Sequence, residues 1–479
     1  IYGEITEPTT RPAALTSVYV DGEMIDPLRN GLKKCGFQPP CISQESVNAC
    51  AKDVSRVVRT HFNHSVCKST FSRILTYEEA VIGTNDDDFM NSLNRTTSPG
   101  FPYAIQKKGR PGKTMWLGTD QVYDLKSKEA QALKKDVMNL IEDCKEGKMS
   151  NVYWIDSLKD ERREHAKVLV GKTRVFSACP MHYSIAFRKY YLPFAAWCMH
   201  NRIDNEIAVG TNVYSYDWHK LTTRLKVMGD KVVAGDFSNF DGSLNAMILW
   251  SLHNEIYVPW AEEFYGDQFT DEVRMITKTL WCHLVHSMHI FEDNIYMWTH
   301  SQPSGCPLTA ILNSLYNSVV MRVTWNIIMS KKYDDSETAL LAAKCNNMKA
   351  FNKNVTMISY GDDNVLNISP RVIGIFNQIT ITIALKQLGH TYTDEAKTGS
   401  CDIMYRTLKD VAFLKRGFVY DMDLARFVAP LRKDVIYEML NWTRRTSNPD
   451  EIMMMNIETA AREMVLHGKH DFDEYEKKL

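Results

Sequence analysis

Two short runs rich in apolar and β-branched residues, Val355-Thr356-Met357-Ile358-Ser359 and Asn364-Val365-Leu366-Asn367-Ile368, flank Tyr360-Gly361-Asp362-Asp363. Runs of this length bounded by turn residues predict the two strands of a hairpin, with Gly361 allowing the reversal. Lys231-Val232-Val233-Ala234-Gly235-Asp236 predicts a buried strand closed by an acid. Leu133, Val137, Leu140 and Ile141 recur at helical spacing and predict a helix within 127–145. Longer helices are predicted over 308–328 and 372–388. From Ile436 the pattern turns helical again through Met439, Leu440, Ile452, Met455, Ile457, Ala460 and Met464, and Trp442, Met453, Met454 and Met455 read as core of that unit. The first 180 residues read as loop-rich, with turns at Ser98-Pro99-Gly100-Phe101-Pro102 and Lys108-Gly109-Arg110-Pro111-Gly112. Strands and helices mix without regular βαβ alternation, so the fold class is α+β.

Composition narrows this picture only a little. A chain of 479 residues exceeds what one hydrophobic core usually serves, so two or three subdomains are expected. Its 44% hydrophobic and 24% charged content is that of a soluble globular protein. The formal net charge of -1 gives no global argument for nucleic acid but leaves room for a local basic channel. Eleven Cys without a C-x-x-C pair or a signal peptide point to reduced thiols in a cytosolic setting. The most apolar stretch, 183–199, is broken by Arg188, Lys189 and Pro193, so no transmembrane segment is expected. There is no internal repeat, and a start at Ile1 rather than Met points to a larger precursor or a trimmed end.

The candidate chemistry is acidic. Asp362 and Asp363 are adjacent like charges that repel unless a cation neutralises them. A solvated Asp-rich turn is the alternative. A two-metal phosphoryl-transfer site needs carboxylates from separate strands holding cations about 3.5–4 Å apart. Asp236 could join Asp362 there, with Asp241 just beyond it; alone, Asp236 could equally cap a following helix. Ser304-Gly305-Cys306-Pro307-Leu308-Thr309-Ala310-Ile311-Leu312-Asn313 runs from a loop into a helix, placing Thr309 and Asn313 on one face. Those groups could read a sugar hydroxyl, or Ser304 could simply cap the helix. Lys159, Arg163, Lys167, Lys172 and Arg174 could bind a triphosphate, although the interspersed Asp160, Glu161 and Glu164 also suit a solvated face. Cys282, His283, His286 and His289 match no common zinc spacing and read as ordinary residues.

Taken in order, these segments resemble the RNA-dependent RNA polymerases of picorna-like positive-strand RNA viruses, with the insect-infecting, iflavirus- or dicistrovirus-like branch as the candidate group. The resemblance runs from about Thr97 to the C-terminus. Thr97 to Tyr103 resembles the fingers motif beside the template, and Lys159 to Arg174 the basic motif over the incoming nucleotide. Asp236 and Asp241 match the first palm motif, Ser304 to Asn313 the second and Tyr360 to Asp363 the third. Thr393-Asp394-Glu395-Ala396-Lys397 resembles the fourth and Phe413-Leu414-Lys415-Arg416 the primer grip.

The resemblance implies a right-hand architecture with an antiparallel palm sheet backed by helices and a mainly helical thumb. Its divisions are 1–190 fingers with an N-terminal extension, 191–265 palm, 266–295 a fingers insertion, 296–410 palm and 411–479 thumb. It implies template-directed RNA synthesis from NTPs, with Asp236, Asp362 and Asp363 holding two Mg²⁺ ions, Mn²⁺ being able to substitute. Lys397 would be a general acid. Lys159, Arg163, Lys167 and Arg174 would contact phosphates, while Asp241, Ser304, Thr309 and Asn313 would contact the nucleotide's ribose. Pro99, Gly100, Gly305, Lys415 and Arg416 would contact RNA. Implied partners are template and primer RNA, NTPs, a genome-linked protein primer and other viral replication proteins, at membrane-associated complexes in the host cytoplasm.

Three departures stand out from the pattern: Pro307-Leu308 where many relatives carry small residues, Ser177 where Glu is common, and Ile1 in place of an N-terminal Gly. Two rival readings are a reverse transcriptase and a catalytically silent RNA-binding replication scaffold. Asp241 disfavours the first, because an aromatic residue there would obstruct a 2′-hydroxyl. The clustered acids disfavour the second.

Overall fold

The computed structural model describes residues 6–119, 121–395, 403–443 and 446–477. At its centre lies a four-stranded sheet in the order Val355–Tyr360, Asp363–Ile368, Val232–Ser238, Thr391–Asp394, every pairing antiparallel. The first two strands form the expected hairpin, with Gly361 at its tip at a φ of 63°. Their buried, β-branched residues suit a strand covered on both faces. The expected strand ending at Asp236 runs two residues further, to Ser238, because Thr391 and Tyr392 pair with Ser238 and Phe237.

Two helices, Thr309–Met329 and Gln378–Gln387, pack against this sheet. The first coincides with the predicted 308–328 element and is buried nearly all round, as its unbroken apolar sequence demands. The second begins six residues later than the periodicity predicts. Asn377 explains the delay: its Oδ1 accepts from the N–H groups of Ile379 and Thr380, at 3.1 and 3.2 Å, while its Nδ2 donates to the Ile373 carbonyl at 2.9 Å. An Asn satisfying both sides of a helix start is an N-cap, and 372–376 is consumed by the turn before it.

A second sheet, in the order Val175–Ala178, Tyr153–Leu158, Met288–Phe291, Asn294–Met297, contains one parallel pairing and joins segments far apart in the chain. Its Trp154 meets Tyr183 of the long buried helix Met181–His200 edge-on at 5.6 Å, and within that helix Phe187 stacks on Tyr191 at 4.2 Å. No helix among the described residues is long and apolar enough to cross a membrane. The predicted helix within 127–145 is Lys128–Lys145, capped by Ser127. The loop-rich reading of the first 180 residues misses Gln44–Arg59, whose Val47, Cys50, Ala51, Val54 and Val58 form a buried stripe.

The C-terminal unit comprises Lys433–Met439, Pro449–Val465 and Lys469–Glu476 around Leu431, Ile436, Leu440, Ala460, Met464 and Tyr475. Met453 joins the buried set, but Met454 and Met455 are exposed, against the sequence expectation. Consecutive helical positions point about 100° apart, so three in a row cannot share a core. Trp442 is half-buried and donates its indole N–H to Glu438 at 2.9 Å.

Strand Thr10–Pro12 bridges this unit to the rest. It pairs with Arg162–Glu164, and the amides of Thr9 and Thr10 each donate to the Glu438 carboxylate at 3.1 Å. Burial works to raise the Glu438 pKa, but hydrogen bonds from Thr10, Thr9, Trp442 and Asn441 outweigh it and hold the carboxyl down at about 2. A depressed acid stabilises the folded state above its ordinary pKa, and that contribution disappears as pH falls through about 2. Glu438→Gln is therefore expected to cost about 1–3 kcal/mol at neutral pH. Its stability should also flatten against pH across the acid range where the wild type declines. Parallel acid profiles for the two proteins in thermal unfolding would refute the bridge's dependence on this charge.

Candidate active site

Two carboxylate-bearing turns meet at one end of the central sheet. The last paired positions between their strands are Gly235 and Asn364, which places Asp236 opposite the Gly361-Asp362-Asp363 turn. Asp236, Asp362, Asp363 and Glu395 line a single open cavity of about 730 Å³. Neighbouring acids leave an electrostatic signature. Burial raises the Asp362 pKa, and the charges of Asp241 and Asp236 raise it further. Asp363 is pushed up to about 7 by burial, assisted by Asp362, Asp236 and Glu395. An acid held at about 7, as Asp363 is, resists full ionisation at neutral pH unless a cation shares the site, and Asp362 is pushed in the same direction.

The carboxylate oxygens suit a hard divalent cation that keeps waters or phosphate oxygens as its other ligands. Among the described residues, no group of three or more potential ligands closes around an ion by itself. One Asp363 oxygen is already engaged, since its Oδ2 accepts from the Leu414 amide at 2.7 Å. Asp236 and Asp362 are thus the principal ligand candidates, and Asp363 ties the turn to the Phe413–Arg416 segment.

Helix Thr309–Met329 fixes this turn through residues the sequence reading passed over. Ser314 Oγ accepts from the Gly361 amide at 2.8 Å, and Asn317 Nδ2 donates to the carbonyls of Gly361 and Asp362 at 3.2 and 3.3 Å. A signal was present: Asn313, Ser314, Asn317 and Ser318 are clustered polar residues, all buried, on a largely apolar helix. Deeper still, Arg322 is fully buried, with its Nη1 and Nη2 each 2.9 Å from Glu206 and its Nε 2.8 Å from Asp53. The Glu206 carbonyl in turn accepts from the Ser359 amide, next to the acidic turn, at 2.9 Å.

The expected sugar-reading set is only partly assembled. Asn313 Nδ2 donates to Asp241 Oδ1 at 3.0 Å, and Asn313 Oδ1 is buried without a protein partner. Burial raises the Asp241 pKa, while Lys34, Asn313, Arg174 and Lys159 counteract it. Thr309 points elsewhere: its hydroxyl donates to the carbonyls of Ser304 and Cys306 at 3.0 and 2.8 Å, bracing the loop. Ser304 Oγ accepts from the Ser177 amide at 3.3 Å. Gly305 also lies against that strand, since a Cβ there would come 2.2 Å from the Ser177 carbonyl oxygen. Leu308 is buried. Ser177 itself donates to buried Asp156 at 2.6 Å, which His289 also contacts.

Among the basic residues, Arg174, Lys159 and Arg163 gather around Glu161, whereas Lys167 pairs with Glu164 at 2.7 Å. Arg174 also feels the charges of Asp362 and Asp241, so the basic segment faces the acids. Pro99 and Gly100 are buried, with the Pro99 carbonyl accepting from Met181 N–H at 2.9 Å. Lys415 is exposed and lines the acidic cavity. Arg416 does not: its guanidinium is held by Glu463 at 2.6 and 2.8 Å and lies over Tyr214. Lys397 lies outside the described residues. His283, His286 and His289 occupy separate environments, His286 accepting from Trp250 and His289 stacking on Trp298 at 3.7 Å.

The antiparallel sheet with acids at one end, faced by a basic segment and bridged to a helical C-terminal unit, defines a right-hand polymerase. A solved RNA-dependent RNA polymerase from a sicinivirus has this fold, superposing with a TM-score of 0.75 at 19% identity over 99% of this chain and 88% of its own. The family described as viral RNA-dependent RNA polymerase matches residues 20–479, and the chain belongs to it. It is 53% identical over 475 residues to the replicase polyprotein of Drosophila C virus and 52% identical to that of cricket paralysis virus. Against the replicase polyprotein of acute bee paralysis virus the identity is 43%. These alignments cover 98–100% of this chain but only 24–26% of each polyprotein. The chain therefore spans about a quarter of the length of the curated relatives it matches.

Proposed function

We propose that this chain synthesises RNA on an RNA template, transferring a nucleotide from an NTP to a primer 3′ end and releasing pyrophosphate. The supporting observation is the meeting of Asp236 with the Asp362–Asp363 turn in one cavity faced by Arg174. Asp236 and Asp362 would hold two divalent cations, Mg²⁺ by preference with Mn²⁺ able to substitute. When bound, such ions lower the pKa of the attacking hydroxyl and neutralise charge on the phosphates.

The chain's own residues supply the rest. Lys159, Arg163 and Arg174 bind the triphosphate, with Lys167 at the margin. Asp241 accepts a hydrogen bond from the ribose 2′-hydroxyl, held in place by Asn313. Lys415 contacts the RNA backbone, while Pro99, Gly100, Ser304, Gly305 and Thr309 shape the loops around it. Lys397 donates a proton to the leaving pyrophosphate. The fingers take 1–190 and 266–295, the palm 191–265 and 296–410, and the thumb 411–479. Within the longer viral protein we place this activity at membrane-associated replication complexes in the host cytoplasm, with other viral replication proteins and a genome-linked protein primer as partners.

A primer-extension assay on a defined RNA template in Mg²⁺, comparing NTPs with dNTPs, tests the reading. Ribonucleotide extension is expected; its absence overturns the proposal. Asp241→Ala should lower the preference for NTP over dNTP by roughly 10–100-fold, the worth of a hydrogen bond to a charged acceptor. An unchanged ratio of kcat/KM values would remove Asp241 from sugar recognition.

A further inference from the structure

Three of the cations assigned to the triphosphate converge on one carboxylate of the protein itself. Arg174 donates through Nε and Nη2 to the two oxygens of Glu161, a bidentate pair. Lys159 Nζ lies 3.4 Å from Glu161 Oε2, and Arg163 Nη1 lies 3.9 Å from Oε1. The Glu161 side chain is only 15% exposed, whereas those of Lys159 and Arg174 are 49% and 55% exposed. Its backbone is anchored independently, because the Glu161 carbonyl accepts from the Ala13 amide at 2.9 Å. The flanking segments are also pinned together, with the Lys159 amide donating to the Arg174 carbonyl at 2.8 Å. The acid is thus the most enclosed member of the cluster, Arg163 is largely enclosed beside it at 21% exposed, and Lys159 and Arg174 are the exposed, movable cations.

Three positive side chains brought together without an anion would repel and scatter. A carboxylate and a phosphate present the same pair of oxygens to a guanidinium fork, but the phosphate carries more charge. We propose that Glu161 is an internal stand-in for phosphate, a positioning residue that keeps Lys159, Arg163 and Arg174 arrayed before a nucleotide arrives and then competes with the nucleotide for them. This rests on the assignment of those cations to the triphosphate. Two consequences follow. The more negative charge a ligand offers, the more readily it displaces Glu161, which favours a triphosphate over a nucleoside monophosphate. Pyrophosphate, once formed, faces a competitor already in place, which hastens its release. Glu161 keeps the negative charge this role requires, because Arg174 and Lys159 more than compensate for the burial that works against it.

The test is binding of inorganic pyrophosphate with Mg²⁺ to the full chain by titration calorimetry, which needs no catalysis and so reads the stand-in even if extension fails. Glu161→Gln keeps the shape and removes the charge. Its pyrophosphate Kd is expected to fall about 3–10-fold, consistent with loss of a partly exposed competing ion pair. In extension assays its KM for NTP should fall in parallel, and kcat should fall as product release slows. Asp160→Asn, the same charge change at an exposed neighbour, should leave pyrophosphate affinity unaltered. Glu161→Asp retains the charge on a shorter arm and should give a smaller gain, which provides a reading should the Gln variant fold poorly. Unchanged or weakened pyrophosphate binding in the Glu161 variants overturns the proposal, as does an equal gain in Asp160→Asn.

Discussion

Asp362→Asn is expected to slow nucleotide addition by on the order of a thousandfold or more while leaving the protein folded, a loss of about 4 kcal/mol or more in transition-state stabilisation. The carboxylate sits at the tip of a hairpin whose backbone is held by Ser314 and Asn317, so an isosteric amide keeps the turn and removes only the charge. The direction of the stability change follows from the same site. Burial and the charges of Asp241 and Asp236 push the Asp362 pKa up, so its ionised form is a burden on the folded state without a cation. The cation-free variant should therefore melt at or above the wild-type temperature. Single-nucleotide extension paired with thermal unfolding separates the two effects. Near-normal extension by the variant would overturn the metal assignment.

Arg322→Met should destabilise the fold by about 3–5 kcal/mol, the cost of leaving buried carboxylates without their partner. Arg322 is fully buried among Glu206, Asp53 and Asn352, and its loss strands two acids whose side chains are only 7% and 10% exposed. Methionine fills much of the volume, so lost charge and lost packing can be told apart. Because Glu206 also receives the Ser359 amide beside the acidic turn, extension should decline before global unfolding is complete. Chemical denaturation measures the first effect and activity across the same titration the second. A destabilisation below about 1 kcal/mol would mean that water or a shifted side chain neutralises those acids.

Both variants show how differently the two layers of the site can be read. Asp362 is conspicuous in sequence because adjacent acids in a β-hairpin turn are chemically costly and local. Arg322 is one basic residue in an apolar helix, and nothing nearby in the chain announces Glu206 or Asp53 as its partners. The same contrast separates Lys415 from Arg416. Adjacent in sequence and alike in charge, one lines the acidic cavity while the other is spent on Glu463. Thr309 shares a helical face with Asn313, yet its hydroxyl satisfies its own loop, a choice made by the loop's carbonyls. The late start of Gln378–Gln387 and the outward turn of Met454 and Met455 are of the same kind, since periodicity records apolar positions but not which cap or face prevails.

The order of the motifs, the α+β class, the hairpin around Gly361 and the candidate acids were set by the chain's local chemistry, because turn residues, β-branched runs and charge clusters act over a few residues. Tertiary structure alone decided that Asp236 would face Asp362, that Arg174 would close on Glu161, and that Thr10 would reach Glu438. Those pairings depend on strand register and on hydrogen bonds between segments distant in the chain, where burial decides which polar groups must find one another.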